Sequence, residues 1–136
     1  MTEDLGHFFY RSLAIDPLGE NDLRDILNVA RGRNAAYGLT GCLHFEDGMF
    51  FQWLEGDRPM VEVVATAIRA DHRHHSVTVL SEGALEHRRF GDWQMRFSDR
   101  YQGSLLDWLA NSDAVTVKSR AYAEAIARFL HTLPAS

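Results

Sequence analysis

The chain contains little cysteine, little proline and no long apolar run. Cys42 is its single cysteine, so no internal disulfide can form, and a reducing compartment such as the cytoplasm is expected. No apolar run approaches the roughly 18 residues that a membrane-spanning helix requires. The acidic first residues lead into no apolar segment of the kind found in signal peptides. We therefore expect a cytoplasmic protein that has no membrane segment.

Positive charge is also in the minority. The 14 Lys and Arg residues against 19 Asp and Glu residues give a net charge of −5. A nucleic-acid-binding protein needs a basic surface to displace counterions from phosphate, so we expect no nucleic-acid partner. Hydrophobic residues make up 46% of the 136 positions. That share excludes disorder and is enough for the core of a small globular protein.

Segments with strand-like and helix-like patterns alternate along the chain. Short apolar or alternating segments predict strands over Leu5–Ser12, Leu39–Glu46, Met49–Glu55 and Val77–Leu80, with a fifth over Trp93–Phe97. The Asp47-Gly48 pair predicts a tight turn between the second and third strands, because this dipeptide tolerates positive φ. The pattern therefore indicates a chain built around one sheet of short strands.

Two predicted helices separate these strands. Apolar residues at helical spacing predict a first helix that is capped by Asn21 and ends near Gly32. The same spacing predicts a second helix that opens at Asp57 and Pro59. The order βαββαβ with an extra strand predicts an α+β, ferredoxin-like sandwich with both helices on one face of the sheet.

The opposite face of that sheet needs a cover of its own. Two amphipathic segments, Leu105–Leu109 and Tyr122–Leu130, follow the last predicted strand. Because a bare apolar face invites association, we expect these helices to pack on it. A homodimer that forms through the apolar side of the sheet is a further hypothesis.

Three polar residues interrupt otherwise apolar segments. Gln52 lies in a strand that is apolar on both faces, and Tyr10 lies in the first strand, which is the third strand's neighbour in this fold. A buried amide without partners costs about 1–3 kcal/mol. Asn34 is interpreted as a cap just beyond the first helix. Taken singly, each residue has a structural explanation, but together they indicate a polar set within an apolar pocket.

The segment Asp71–His75 contains three histidines within four residues. Their spacing on one loop is poor for zinc, whose ligands usually come from separate elements, so no metal site is predicted. Phosphate-binding glycine loops and hydrolase motifs are absent from the sequence as well. This segment is interpreted as a solvated loop unless a polar ligand lies against it.

Four stretches, in this order and at this spacing, resemble the BLUF family of flavin-using blue-light sensors. They are FFYRSLA (Phe8–Ala14), RNAAYGLTGCLHFEDGMFFQWLEG (Arg33–Gly56), IRADHRH (Ile68–His74) and RRFGDWQM (Arg88–Met95). The resemblance covers Leu5–Ser98 and implies a ferredoxin-like fold with a flavin between its two helices. It also implies that the flavin is bound non-covalently as FAD, with FMN or riboflavin as alternatives.

The resemblance also assigns roles to individual residues. Tyr10 and Gln52 match the pair that responds to light, and Trp93 and Met95 match side chains that modulate the response. The residues expected to hold the flavin are Arg33, Asn34, Gln52, Asp71, Arg73 and His74, with apolar walls from Ile26, Leu39, Leu54 and Ile68.

The resemblance further divides the chain into a photosensor, residues 1–98, and a C-terminal helical extension, residues 99–136. The extension is too short for a cyclase-type effector, so we expect a sensor that is not an enzyme and that signals to a separate, unidentified protein. Two other hypotheses stay open. One is a light-insensitive module that binds a small ligand or oligomerises, and the other is a small flavin-dependent enzyme.

Overall fold

A computed structural model describes residues 4–91, 93, 95–110 and 120–133. Within these residues the strands are β1 (Leu5–Ala14), β2 (Thr40–Glu46), β3 (Met49–Asp57), β4 (His74–Ala84) and β5 (Arg96–Asp99). The helices are α1 (Glu20–Tyr37), α2 (Arg58–Ala70), α3 (Leu105–Ala110) and α4 (Arg120–Thr132). The predicted element order is confirmed, and none of these helices is long and apolar enough to cross a membrane.

The strands form one sheet in the order β4-β1-β3-β2-β5. Neighbouring strands are antiparallel except β5, which runs parallel to β2. The predicted turn joins β2 to β3, and Asp47 and Gly48 adopt φ values of 50° and 77° there. In the resulting register, Tyr10 on β1 lies opposite Gln52 on β3, and Leu43 on β2 lies opposite Gln52 on its other side.

Two apolar layers sandwich the sheet. The first layer packs α1 and α2 on the face that carries Phe8, Tyr10, Phe50 and Leu54. The second packs α3 and α4 on the face that carries Phe9, Cys42, Phe51 and Trp53, with Leu105, Tyr122, Ile126 and Leu130 as its buried helical members. The α+β ferredoxin-like sandwich with C-terminal helices on the second face is therefore confirmed. A homodimer that forms on this face would have to displace α3 and α4.

The first helix begins earlier and ends later than its sequence pattern predicts. The prediction of Asn21 as the cap is wrong, because Gly19 occupies that position and its N–H donates to Asp22 at 3.0 Å. The helix continues through Gly32, since one interior glycine costs only about 1 kcal/mol, and it ends where Gly38 takes the left-handed conformation (φ 67°). Asn34 therefore lies in the last turn of α1, fully buried, rather than beyond the helix.

The last two strands also differ from their predicted bounds. β4 extends well beyond Val77–Leu80 because it pairs with β1 from His74 to Ala84, and this backbone ladder includes polar residues that an apolar pattern excludes. β5 begins only at Arg96, so Trp93 lies in the preceding loop, where its carbonyl accepts a hydrogen bond from the Gly41 N–H at 2.7 Å.

Candidate functional site

A cleft that is partly open to solvent lies between α1 and α2 with the sheet as its floor. Apolar and polar side chains both line it, and an apolar surface with a few placed polar groups is the usual character of a small-molecule site. Side chains from three places line it: the floor (Tyr10, Leu43, Phe50, Gln52), α1 (Ile26, Val29, Ala30, Arg33) and the end of α2 with the loop and strand after it (Ala67, Ile68, Asp71, Arg73, His74).

The floor of the cleft holds the Tyr10–Gln52 pair. The Tyr10 hydroxyl donates to Gln52 Oε1, and both side chains are buried. Burial raises the pKa of Tyr10 above its usual value, so the phenol keeps the proton that it donates. Gln52 Nε2 donates to Met95 Sδ at 3.7 Å, the one acceptor that the described residues supply to it. A thioether is a weak acceptor, so the amide keeps donor capacity for a ligand.

Charged residues stand at the mouth of the cleft. Arg73 donates to Asp71 through its backbone N–H (2.9 Å), Nε (3.1 Å) and Nη2 (2.8 Å). These bonds lower the pKa of Asp71 to about 2. Arg33 is half-buried, and burial lowers the pKa of its guanidinium. Its Nε has no acceptor among the described residues, and a bound ligand would satisfy this costly buried donor.

His74 contributes its ring to the cleft. Its Nε2 lies 2.6 Å from the Ile68 carbonyl and must carry the hydrogen, so Nδ1 accepts from the Ser12 hydroxyl at 2.7 Å. The ring lies 6.0 Å from the Tyr10 ring and 6.1 Å from the Phe50 ring, centroid to centroid. Both nitrogens are therefore engaged in joining β4 to β1 and to the end of α2.

Five of the predicted site residues do not line the cleft: Asn34, Leu39, Leu54, Trp93 and Met95. Asn34, Leu39 and Leu54 are buried in the core beside it, and Leu39 and Leu54 belong to the apolar layer under α1 and α2. Trp93 lies in the layer on the other face of the sheet, where it packs against Phe90, Arg96 and His131. The structure thus brings Met95, but not Trp93, to Gln52.

Five lining residues were missing from the sequence-based set: Val29, Ala30, Leu43, Phe50 and Ala67. Strand register contains the signal for two of them, because Leu43 pairs with Gln52 and Phe50 alternates with it on the same face. Ala30 lies on the predicted apolar stripe of α1. Val29 and Ala67 each lie one residue away from an apolar stripe, so helical periodicity alone does not single them out.

The described residues contain no group of three or more His, Cys, Asp or Glu side chains that could hold a metal ion. Within the histidine-rich segment, His74 is engaged as above, and His75 Nδ1 lies 2.9 Å from the Ser76 hydroxyl.

A family model described as sensors of blue light using FAD, abbreviated BLUF, matches residues 5–96, more than half of the chain. The chain belongs to the BLUF family. Members of this family sense blue light with a flavin, and the Tyr10–Gln52 hydrogen bond lies inside the matched segment of this BLUF domain.

Curated relatives place the BLUF domain in larger proteins. The beta subunit of a photoactivated adenylate cyclase from Euglena gracilis is 33% identical over 70% of this chain, which spans only 11% of that protein. A blue light- and temperature-regulated antirepressor, BluF, from Escherichia coli is 33% identical over 66% of this chain and 22% of its own length. The chain thus spans about a tenth of the cyclase subunit and about a fifth of the antirepressor.

Solved structures extend the likeness over nearly the whole fold. The photo-activated state of BlsA superposes with a TM-score of 0.84 at 25% identity, covering 97% of this chain and 98% of that one. The dark state of BlrB, a BLUF protein, has a TM-score of 0.75 at 26% identity, covering 95% and 99% of the two chains. Both likenesses extend into the region that contains the C-terminal helices.

Proposed function

We propose that this BLUF domain binds a flavin non-covalently in the cleft between α1 and α2 and acts as a blue-light photoreceptor. The observation that carries the proposal is the buried hydrogen bond from Tyr10 to Gln52 on the floor of that cleft. A buried phenol that donates to an amide, whose own donor meets only a thioether among the described residues, is ready to exchange partners with a ligand.

The residues of the cleft fit a flavin. Its apolar walls, including Ile26 and Ile68, suit a flat ring, and the free Nε of Arg33 and the Nε2 of Gln52 supply donors. Asn34, Asp71 and Arg73 are proposed to complete the polar contacts, with the His74 ring as part of the lining and Leu39 and Leu54 behind the walls. FAD is the proposed cofactor because the family description names it. FMN and riboflavin present the same ring and are the alternatives.

The proposed switch depends on two side chains. When bound, the flavin supplies an oxidant on absorbing blue light. Tyr10 would supply an electron and, through Gln52, a proton, and both would return to it. During this cycle the Gln52 amide settles in a second orientation or tautomer with different hydrogen-bond partners. The outcome is a changed pattern of donors and acceptors at the floor of the cleft and no released product.

The output of the switch is proposed to go to a separate protein. Residues 1–98 would act as the photosensor and residues 99–136 as the extension that transmits its state. The described part of that extension packs on the sheet face opposite the cleft. No nucleic acid and no membrane is proposed as a partner, and the location proposed is the cytoplasm.

Absorption spectra before and after blue light test the proposal. The purified protein should be yellow, and illumination should produce a reversible red shift of the flavin bands. Tyr10→Phe and Gln52→Leu should each bind flavin yet lose the stable shift, because neither replacement can take part in the proton relay. Tyr122→Phe, a buried tyrosine in the other apolar layer, is the matched control and should keep the shift. Protein that stays colourless with every flavin would refute the proposal.

A further inference from the structure

Glu55 is a fully buried carboxylate on the same strand as Gln52, and its side chain lies on the opposite face of the sheet. Its Oε1 accepts hydrogen bonds from the Trp53 indole (2.9 Å) and the Arg89 N–H (2.7 Å). Its Oε2 accepts from the Thr40 hydroxyl (2.7 Å) and the Phe90 N–H (2.9 Å). All four partners donate, so each carboxylate oxygen accepts two hydrogen bonds. This arrangement suits an ionised carboxylate.

Two of those donors belong to the loop between β4 and β5. A short series of backbone hydrogen bonds leads from this anchor toward β5: Phe90 O accepts from the Trp93 N–H (3.0 Å), and Trp93 O accepts from Gly41 (2.7 Å). Met95 follows, with its carbonyl held by Arg31 Nε at 3.2 Å and its sulphur 3.7 Å from Gln52 Nε2. The Glu55 carboxylate therefore holds the Arg89–Phe90 backbone, where the segment that leads to the Met95 thioether begins.

We propose that Glu55 is a positioning residue that sets Met95 against the Gln52 amide by clamping the Arg89–Phe90 backbone. Strand β3 then carries both the Gln52 amide and Glu55, the anchor of the segment that leads to Met95. The relative positions of Gln52 and Met95 therefore depend on one strand. The inference rests on the proposed function, because the effect of Met95 placement on the switch is measured on the red-shifted state that light produces.

The chain offers a matched control. Glu46 on β2 is also buried, and it accepts from His44 (3.0 Å), Ser104 (2.7 Å), Leu105 N (2.8 Å) and Leu106 N (3.3 Å). It anchors the start of α3 instead of the β4–β5 loop. Glu46→Gln and Glu55→Gln therefore remove the same charge from similar sites, and only the second change touches the route to Met95.

The first measurement is made without flavin. In protein labelled at its methionine methyl groups, Glu55→Gln should shift and broaden the Met95 resonance, which Met95→Leu identifies. It should also increase hydrogen exchange at the Arg89 and Phe90 amides. Glu46→Gln should leave both readouts as in the unmodified protein. If the Met95 resonance and the exchange of the Arg89 and Phe90 amides are unchanged in Glu55→Gln, the proposal is overturned, whatever the flavin spectra show.

The second measurement is the lifetime of the red-shifted state. Glu55→Gln should change it in the same direction as Met95→Leu, by about threefold or more, as is typical of residues coupled through one hydrogen-bond network. In a Met95→Leu background, Glu55→Gln should add little. A full additional effect there, or an equal effect of Glu46→Gln, would overturn the proposal.

Two further outcomes are kept distinct. If Glu55→Gln does not fold, Thr40→Val removes one of the four donors and should show the same pattern more weakly, and its failure to do so would overturn the proposal. If the unmodified protein shows no red shift, the proposed function fails, while the methyl and exchange data still decide the placement of Met95.

Discussion

Ile126→Ala tests the layer in which α4 covers the sheet face opposite the cleft. Ile126 is fully buried there, among residues such as Phe9 and Phe51. The change removes three carbons, worth about 2.4 kcal/mol at roughly 0.8 kcal/mol each, and the cavity left behind brings the usual cost to about 2–5 kcal/mol. For a domain of this size, a loss of about 3 kcal/mol lowers the Tm by roughly 10 °C.

The assay is urea unfolding followed by circular dichroism, with and without flavin. Because Ile126 lies across the sheet from the cleft, flavin binding in the folded protein should be unchanged. Val63→Ala on α2, at a side chain that is 53% exposed, is the control and should alter stability by no more than about 0.5 kcal/mol. A loss below about 1 kcal/mol for Ile126→Ala would show that α4 does not supply this core.

Three further predictions concern the cleft and its surroundings. Asp71→Asn should lower the free energy of unfolding most above pH 3.8, the unperturbed pKa of the carboxyl. The difference from the unmodified protein should vanish as the pH falls through about 2, because the Arg73 bonds that depress this pKa favour only the carboxylate. Measurements of stability across the acid range test this. Cys42 should resist a disulfide reagent at pH 8 until the protein unfolds, because burial raises its thiol pKa to about 12, and rapid labelling of the native protein would contradict this. Asn34→Ala should weaken flavin affinity or shift the unilluminated spectrum, measured by titration, and an unaltered affinity and spectrum would remove Asn34 from the site.

The meeting of Tyr10 and Gln52 could be predicted because it depends on robust signals. Strand alternation assigned each side chain to a face, and the βαββαβ order made their strands neighbours. The cover of the second face followed from the same logic, since an apolar sheet face must be buried and only the C-terminal helices were left to bury it. These inferences use periodicity over whole elements, where the pattern is strong.

The helix and strand bounds that differ from the prediction fall where periodicity stops. The end of α1 depended on whether Gly32 or Gly38 ends the helix, and only the conformation of Gly38 decides that. Trp93 and Met95 would share a face if a strand ran through both, but β5 starts at Arg96. Trp93 therefore lies in an irregular loop, where alternation has no meaning, and the two side chains are found on opposite sides of the sheet.

The burial of β3 on both faces has a consequence for how this protein can change in evolution. Every residue from Phe50 to Gly56 is buried, so this stretch of β3 has no solvent-facing position at which a substitution is neutral. Gly41 on β2 adds a restriction, because a Cβ at that position would collide with the Trp53 carbonyl. Sequence drift should therefore concentrate on the outer helix faces. Across relatives, β3 should be the segment with the fewest accepted changes.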